Sequence, residues 1–361
     1  MFNASRLILA RKRNGLTKTQ LAGKVGVQSR SIAAFESGEY PPSDQTLARI
    51  CEALGFESAF FYGDDLEELD EEGVSFRSMA RMLARHRHAA LAAGAFAFVL
   101  SSWAERNFSL PDVNVPSMYG ESPEAAAQML RVHWGIGEKS VRNMVHLLEA
   151  QGVRVFSLAE NADEVDAFSL WKGQRPFVFL NTLKSAERSR FDAAHELGHL
   201  VLHGHGAPSG QEAEKEAHAF AAAFLMPRAS VLAATPRYIT LPHLVELKQK
   251  WAVSVGALAR RYKDLGKVSE WNYRMLCIEI AEKGYHRKEP NSIQRETSRI
   301  WEKIFSALRN EGVWKEHIAR DLAIPVSEIE KLVWGLVTQG VSTPAGPIYP
   351  SARRGNLRLV T

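Results

Sequence analysis

His195 and His199 stand four positions apart in the run Arg190-Phe191-Asp192-Ala193-Ala194-His195-Glu196-Leu197-Gly198-His199-Leu200-Val201-Leu202-His203. On a helix that spacing puts both imidazoles on one face, close enough to reach one metal ion. Glu196 follows the first histidine, a suitable place for a carboxylate that takes a proton from an attacking water. Phe191, Ala194, Leu197, Leu200 and Leu202 give the same run the apolar positions of a buried helix. Together these residues point to hydrolysis at a metal centre, with Glu196 as the catalytic base and His195 and His199 as ligands.

A third ligand has to come from elsewhere. His203 lies eight residues beyond His195, about 12 Å along a straight helix, too far to share an ion with it. His205 has the offset used in H-E-x-x-H-x-x-G-x-x-H enzymes, but Leu202 occupies the place of the glycine that turns the chain back. Further on, Glu214 and Glu216 lead into an Ala-rich stretch ending at Met226-Pro227, which could pack closely on the first helix. Residue type alone does not choose between these two acids, since carboxylates also favour a helix's first turn.

The run from Arg190 to His203 is followed by E-x-x-A-x-x-F-A at Glu214, Ala217, Phe220 and Ala221, then by Leu225-Met226-Pro227. This series resembles the ImmA/IrrE-type metallopeptidases. The resemblance implies a zincin-like domain, Zn²⁺ as cofactor, Glu214 as the third ligand, and a repressor or antitoxin-like protein substrate cut under stress. One departure stands at His218, where that family usually has Asn or Asp four residues after the glutamate. A histidine there is expected to partner a ligand histidine and to make the site pH-sensitive. The donor that would assist at a developing oxyanion stays open among His203, His205, His218 and Tyr238.

The elements around this centre begin with residues 1–63, which read as five short helices. Thr17 caps the second, Gly26-Val27 makes a tight turn, a third runs from about Gln28 to Glu36, and Pro41-Pro42 precede a fourth. Two helices joined by a short Gly-containing turn form a helix-turn-helix. The spacing of Leu16, Gln20-Leu21-Ala22, Val25-Gly26-Val27, Ser31-Ile32, Phe35-Glu36 and Gly38 resembles XRE-type repressors of the lambda class. That resemblance implies a DNA operator as partner, with Gln28, Ser29, Arg30 and Ala34 toward base edges and Lys18 and Gln20 near phosphates. Arg30 is the strongest specificity residue, because its planar fork can donate to both O6 and N7 of guanine. Eight Lys and Arg against five Asp and Glu over residues 1–62 make a weak positive footprint, so binding is expected to need a homodimer.

In 361 residues with 45% hydrophobic and 24% charged side chains there is room for two or three globular domains. Only Cys51 and Cys277 occur, which excludes a disulfide framework or thiolate cluster and suits a reducing cytoplasm. Arg6, Arg11, Lys12 and Arg13 interrupt any signal-peptide core, and the apolar run from Ala89 to Leu100 is too short to span a bilayer. It reads as a buried or dimer-forming helix, and no membrane partner is expected.

The remaining elements follow in order. Asp64 to Glu72 is acidic, and a helical pattern with Arg77, Arg81, Arg85 and Arg87 runs from Val74 to about Phe108. Helices are expected from Ser122-Pro123 and from Lys139 to Ala150, then strands at Val153–Leu158, Ala167–Trp171 and Pro176–Leu180. A periodic segment covers Leu241 to about Leu265. The weak helix-turn-helix cadence from His317 to Ile329 is read as part of a packing or dimerisation module. The expected fold is mostly α with a small sheet, an α+β arrangement. Its divisions are a helix-turn-helix domain at 1–63, an acidic and helical linker at 64–118, a zincin-like peptidase domain at 119–268 and a C-terminal helical module at 269–361. The expected function is a DNA-binding regulator whose peptidase domain cuts a repressor or antitoxin-type protein. The alternative is a non-proteolytic transcription factor in which that domain is a structural or sensor module.

Overall fold

The computed structural model describes residues 1–69, 84–158, 167–204 and 210–337. Arg77, Arg81 and His205, the end of the acidic run at 70–72 and the stretch 338–361 lie outside the described residues. The fold is mostly helical, with one three-stranded sheet among the described residues.

The N-terminal segment forms α1 (Ala4–Arg13), α2 (Lys18–Val25), α3 (Ser29–Ser37) and α4 (Asp44–Leu54), followed by a short 3₁₀ turn at Ser58–Tyr62. Thr17 and Gln20 close a reciprocal capping box at the start of α2. Gly26 stops α2 at φ +70°, a left-handed conformation that costs glycine little, and α3 leaves the turn at a new angle. Leu7, Leu21, Val25, Ile32, Phe35, Leu47 and Ile50 fill the interior.

Helix α5 (Ala84–Asn107) explains the Ala-rich run, since Ala89 to Leu100 is buried apart from the partly buried Val99. Phe96 packs 5.7 Å from the Phe56 ring and 6.0 Å from Phe60, while Phe98 packs 4.8 Å from Phe177 of the sheet. None of the described helices is long and apolar enough to cross a membrane.

Helices α6 (Pro123–His133) and α7 (Met144–Ala150) lead into β1 (Arg154–Ser157), β2 (Phe168–Lys172) and β3 (Arg175–Leu180). The second helix was expected from Lys139; it begins at Met144 because Asn143 accepts from His146 N and caps it there. The strand order is β1-β3-β2, with β1 parallel and β2 antiparallel to β3. Alternation divides the sheet cleanly. Phe156, Phe168, Phe177 and Phe179 join the cluster shared with α5 and the N-terminal helices. Val155, Val178 and Leu180 join a second cluster with the helices that follow.

Those helices are α8 (Ala186–Gly198), which widens into a π turn over His199–His203, then α9 (Gln211–Leu225) and α10 (Arg228–Ala233). The periodic segment from Leu241 to Leu265 is two helices, α11 (Leu241–Trp251) and α12 (Val255–Asp264). Ala252 at φ 54° ends the first and Ser254 caps the second. Helix α13 (Glu270–Glu282) packs on α12. Beyond it, α14 (Arg299–Asn310), α15 (Lys315–Leu322) and α16 (Val326–Leu332) return to the first cluster through Trp301, Ile304, Ile318 and Leu332. Glu328 on α16 accepts from Arg13 Nε at 2.5 Å, and both side chains are buried. Arg13 and Lys331 outweigh burial and hold the Glu328 carboxyl below its ordinary value.

Glu149, at the end of α7, caps α14. Its carboxyl accepts from Arg299 N at 2.9 Å, Ile300 N at 3.2 Å and the Ser298 hydroxyl, and burial pushes it up to about 7. A raised folded-state value means that this group's stabilising contribution is full below its unfolded value near 4.5 and is lost as pH rises through 7. Wild-type stability should fall by about 3 kcal/mol from this source between pH 4.5 and 8. Denaturant unfolding of Glu149→Gln over that range should show a correspondingly flatter profile, and an unchanged slope would refute the assignment.

Candidate functional site

Helix α8 starts at the Ser185 cap and is clamped at its base by buried charge. Lys248, fully buried, reaches Glu187 at 2.9 Å and Glu289 at 3.1 Å, and Ile293 N also donates to Glu187. One turn on, Arg190 pairs with Glu296 and donates to the Val141 carbonyl. These anchors fix the helix that carries His195, Glu196 and His199.

Close approach of α9 depends on Gly198. A Cβ there would lie 3.1 Å from both Ala217 Cα and the Phe220 ring, so only a hydrogen fits without displacement. The approach brings Glu214 onto the two histidines. Nε2 of His195 and Nε2 of His199 are 3.1 Å apart, and each lies 3.4 Å from an oxygen of Glu214. Ligands about 2.0–2.2 Å from a tetrahedrally coordinated ion stand about 3.3–3.6 Å from one another, so these three donors could hold one divalent metal.

Electrostatics separates the three. Burial alone would raise the Glu214 carboxyl, but the His195 and His199 side chains beside it hold it well below the usual carboxylate range. Burial lowers His199 to about 4, leaving it neutral. Burial also acts to lower His195, but Glu214 and Glu196 outweigh it and raise that histidine. Glu196, almost wholly buried, is pushed up to about 7 by desolvation, opposed by His195 and by the Ser169 hydroxyl, which donates to Oε2 at 2.7 Å. A carboxylate with that proton affinity is suited to accept a proton near neutral pH. The centre opens on a cleft of about 770 Å³, walled by Phe191, Ala222, Gly256, Arg260 and Tyr273 among others.

Of the described candidates for a further donor, His218 lines this cleft, its ring 4.9 Å from Phe191 and its basicity reduced by burial and by His195. Tyr238 is exposed, with Arg237 over its ring, and is not among the cleft residues. His203 sits behind His199 and pairs with Glu216. Glu216 therefore faces His203, not the three-donor cluster. Ser169 went unnoticed in the sequence, although a signal was present. Phe168 and Leu170 point to one face of β2, so the residue between them points to the other, toward α8.

On the helix-turn-helix, Gln28 and Arg30 are exposed at the start of α3, and Ser29 is half-buried with its hydroxyl 3.3 Å from that of Thr19. Ala34 was expected beside them at base edges, but it is buried at 8% exposure and does not share their solvent-facing surface. Lys18 is half-exposed and lies 3.3 Å from Glu36, which also binds Arg11 at 2.5 Å. The Gln20 side chain accepts from Thr17 N in the capping box and is engaged in holding α2.

Comparison with known proteins agrees with both halves. A helix-turn-helix family model matches residues 7–61, and a model of the IrrE N-terminal-like domain matches residues 148–263. The chain belongs to the helix-turn-helix proteins that carry an IrrE N-terminal-like domain. Over 64 residues, 18% of this chain, it is 44% identical to an uncharacterized HTH-type transcriptional regulator of Methanothermobacter thermautotrophicus, covering 87% of that protein. The chain is thus a transcription regulator with a metallopeptidase-like domain. Within the IrrE N-terminal-like segment fall His195, Glu196, His199 and Glu214.

The tight α8–α9 contact gives a direct test. Gly198→Ala should destabilise the protein by about 1–3 kcal/mol through overpacking and loosen metal binding by moving Glu214. Gly23→Ala, at an open helical position, should be neutral or stabilising by about 0.4–1 kcal/mol. Thermal unfolding and metal content of the two variants check this. Equal behaviour would show that the contact is slack.

Proposed function

We propose that this protein is a DNA-binding regulator whose IrrE N-terminal-like domain is a zinc-dependent endopeptidase acting on a repressor or antitoxin-type protein under stress. The observation that carries the reading is the convergence of His195, His199 and Glu214 to within one ion's reach, beside a buried Glu196 with raised proton affinity. The site would take zinc through those three side chains, because two imidazoles and one carboxylate are a catalytic donor set that leaves a position open. When bound, zinc supplies Lewis acidity, polarising a carbonyl and acidifying a water.

The rest is the work of the chain itself. Glu196 takes the proton of the attacking water and returns it to the leaving amine. Ser169 holds one of its oxygens, so the carboxylate keeps a single orientation. An extended substrate strand can pair along β2, which is an edge of the sheet. His218, which lines the cleft, would serve as the donor toward the reacting carbonyl.

The helix-turn-helix would bind its operator as a homodimer, since one copy carries little positive charge. The division into a helix-turn-helix at 1–63, a linker at 64–118, a peptidase unit at 119–268 and a C-terminal module at 269–361 belongs to this proposal. So does a cytoplasmic setting, supported by two cysteines that are both free.

Glu196→Gln decides between the enzyme and the sensor. The amide cannot accept a proton, so cleavage should fall roughly 10²–10⁴-fold while metal content and DNA binding stay as in wild type. Mass spectrometry of candidate repressors from the same operon, incubated with each form, reads the cut directly. Normal induction by Glu196→Gln, with no cut by either form, would favour a structural or sensor module. On the DNA side, Arg30→Ala should cost about 1–3 kcal/mol on the specific site and relax discrimination at one base pair. Lys18→Ala should weaken all sequences alike and flatten the salt dependence. Salt-series titrations on specific and random duplexes separate the two, and an Arg30→Ala variant with full operator affinity would disprove the surface.

A further inference from the structure

His203 and Glu216 take no part in the chemistry above, yet they form a continuous chain behind one of its ligands. Glu216 Oε2 lies 2.9 Å from His203 Nε2, and His203 Nδ1 lies 3.0 Å from His199 Nδ1. The other nitrogen of His199, Nε2, is the one that faces His195 and Glu214. We propose that Glu216 and His203 are positioning residues that fix the ring orientation and tautomer of His199 for metal binding, an inference that rests on the metal-centre reading above.

Donor and acceptor bookkeeping gives the chain a direction. An ionised carboxylate only accepts, so the His203 nitrogen facing Glu216, Nε2, must carry the proton. In its neutral form His203 keeps a lone pair at Nδ1 and accepts there, and the nitrogen it faces, His199 Nδ1, is then the N–H. That leaves the lone pair of His199 on Nε2, aimed at the ligand cluster. The charge on Glu216 thus sets the tautomer of a residue it does not touch. With this support removed, His199 can carry its proton on Nε2 instead, the form that cannot bind a metal.

The local backbone supports the same role. His203 ends the π turn that begins at His199, and that turn packs against α9, the helix that carries both Glu214 and Glu216. One helix thus supplies a ligand through Glu214 and, two residues later, the group that orients another ligand.

The test uses full-length protein with zinc and with cobalt(II). Zinc affinity by competition with a chromophoric chelator should fall about 10–100-fold in Glu216→Gln and in His203→Ala. The double variant should be no weaker than His203→Ala alone, because both changes cut one chain. Glu212→Gln, which alters an exposed acid paired with Lys215 on the same helix, should match wild type. Cobalt(II) absorption bands should shift in Glu216→Gln at unchanged circular dichroism, which a purely structural role would not produce. Wild-type affinity and spectrum in Glu216→Gln would overturn the proposal, as would additive losses in the double variant. Failure of wild type to bind one zinc would overturn the metal reading and this inference with it, and so is distinguishable from failure of the positioning pair alone.

Discussion

The contact of Gly198 with Ala217 and Phe220 is the constraint on which the three-donor cluster of His195, His199 and Glu214 depends. Two of the donors come from one helix and are brought together by its own geometry. The third comes from α9, and its distance is set by how closely the two helices can lie. A methyl group at Gly198 would compete for space with the α9 backbone itself, which yields less readily than a flexible side chain. The Ala-rich face of α9 and the absent side chain of Gly198 therefore determine whether Glu214 reaches the histidines at all.

Rigidity on the far side of α8 complements that closeness. The buried Lys248 with its two carboxylates, and Arg190 with Glu296, tie α8 to α11 and to the segment between α13 and α14. Buried charges of this kind contribute little net stability, but losing one partner strands the other. The helix base accordingly has one low-energy position, and the donor atoms inherit its definition.

Much of the centre was legible in the residues because it is local. The four-residue spacing of His195 and His199 needs only helical geometry, and the family resemblance separated Glu214 from Glu216. His203 was set aside as a ligand on a straight-helix distance, but the chain leaves that geometry at His199, so the place of His203 behind it was invisible. That place depends on a π turn and on a partner thirteen residues away. The burial of Ala34 was not legible, because the resemblance assigns positions around α3 but does not register which small side chains the domain's interior takes up. The Lys139 start failed because Asn143, a strong cap, lay inside the apolar pattern. The strands were readable from their runs of Phe, Val and Leu. Glu149 and Glu328 were not, since nothing near either residue announces a partner some 150 or 315 positions away.

The linker proposed at 64–118 is no loose tether, because its helix α5 is itself packed into the interior. Through α5 the interior of the helix-turn-helix is continuous with one face of the sheet, while the opposite face of that sheet covers the helices of the candidate site. The last helices of the described chain close the same cluster, and Arg13 meets Glu328 across it. This ordering has a consequence for synthesis. At about 5–20 residues per second, Glu328 is polymerised roughly 15–60 s after Arg13. The nascent N-terminal helices must therefore wait with an apolar flank uncovered and Arg13 still hydrated. A chain halted before α16 would leave the inner face of its helix-turn-helix open, so that face is completed only after residue 332 has been made.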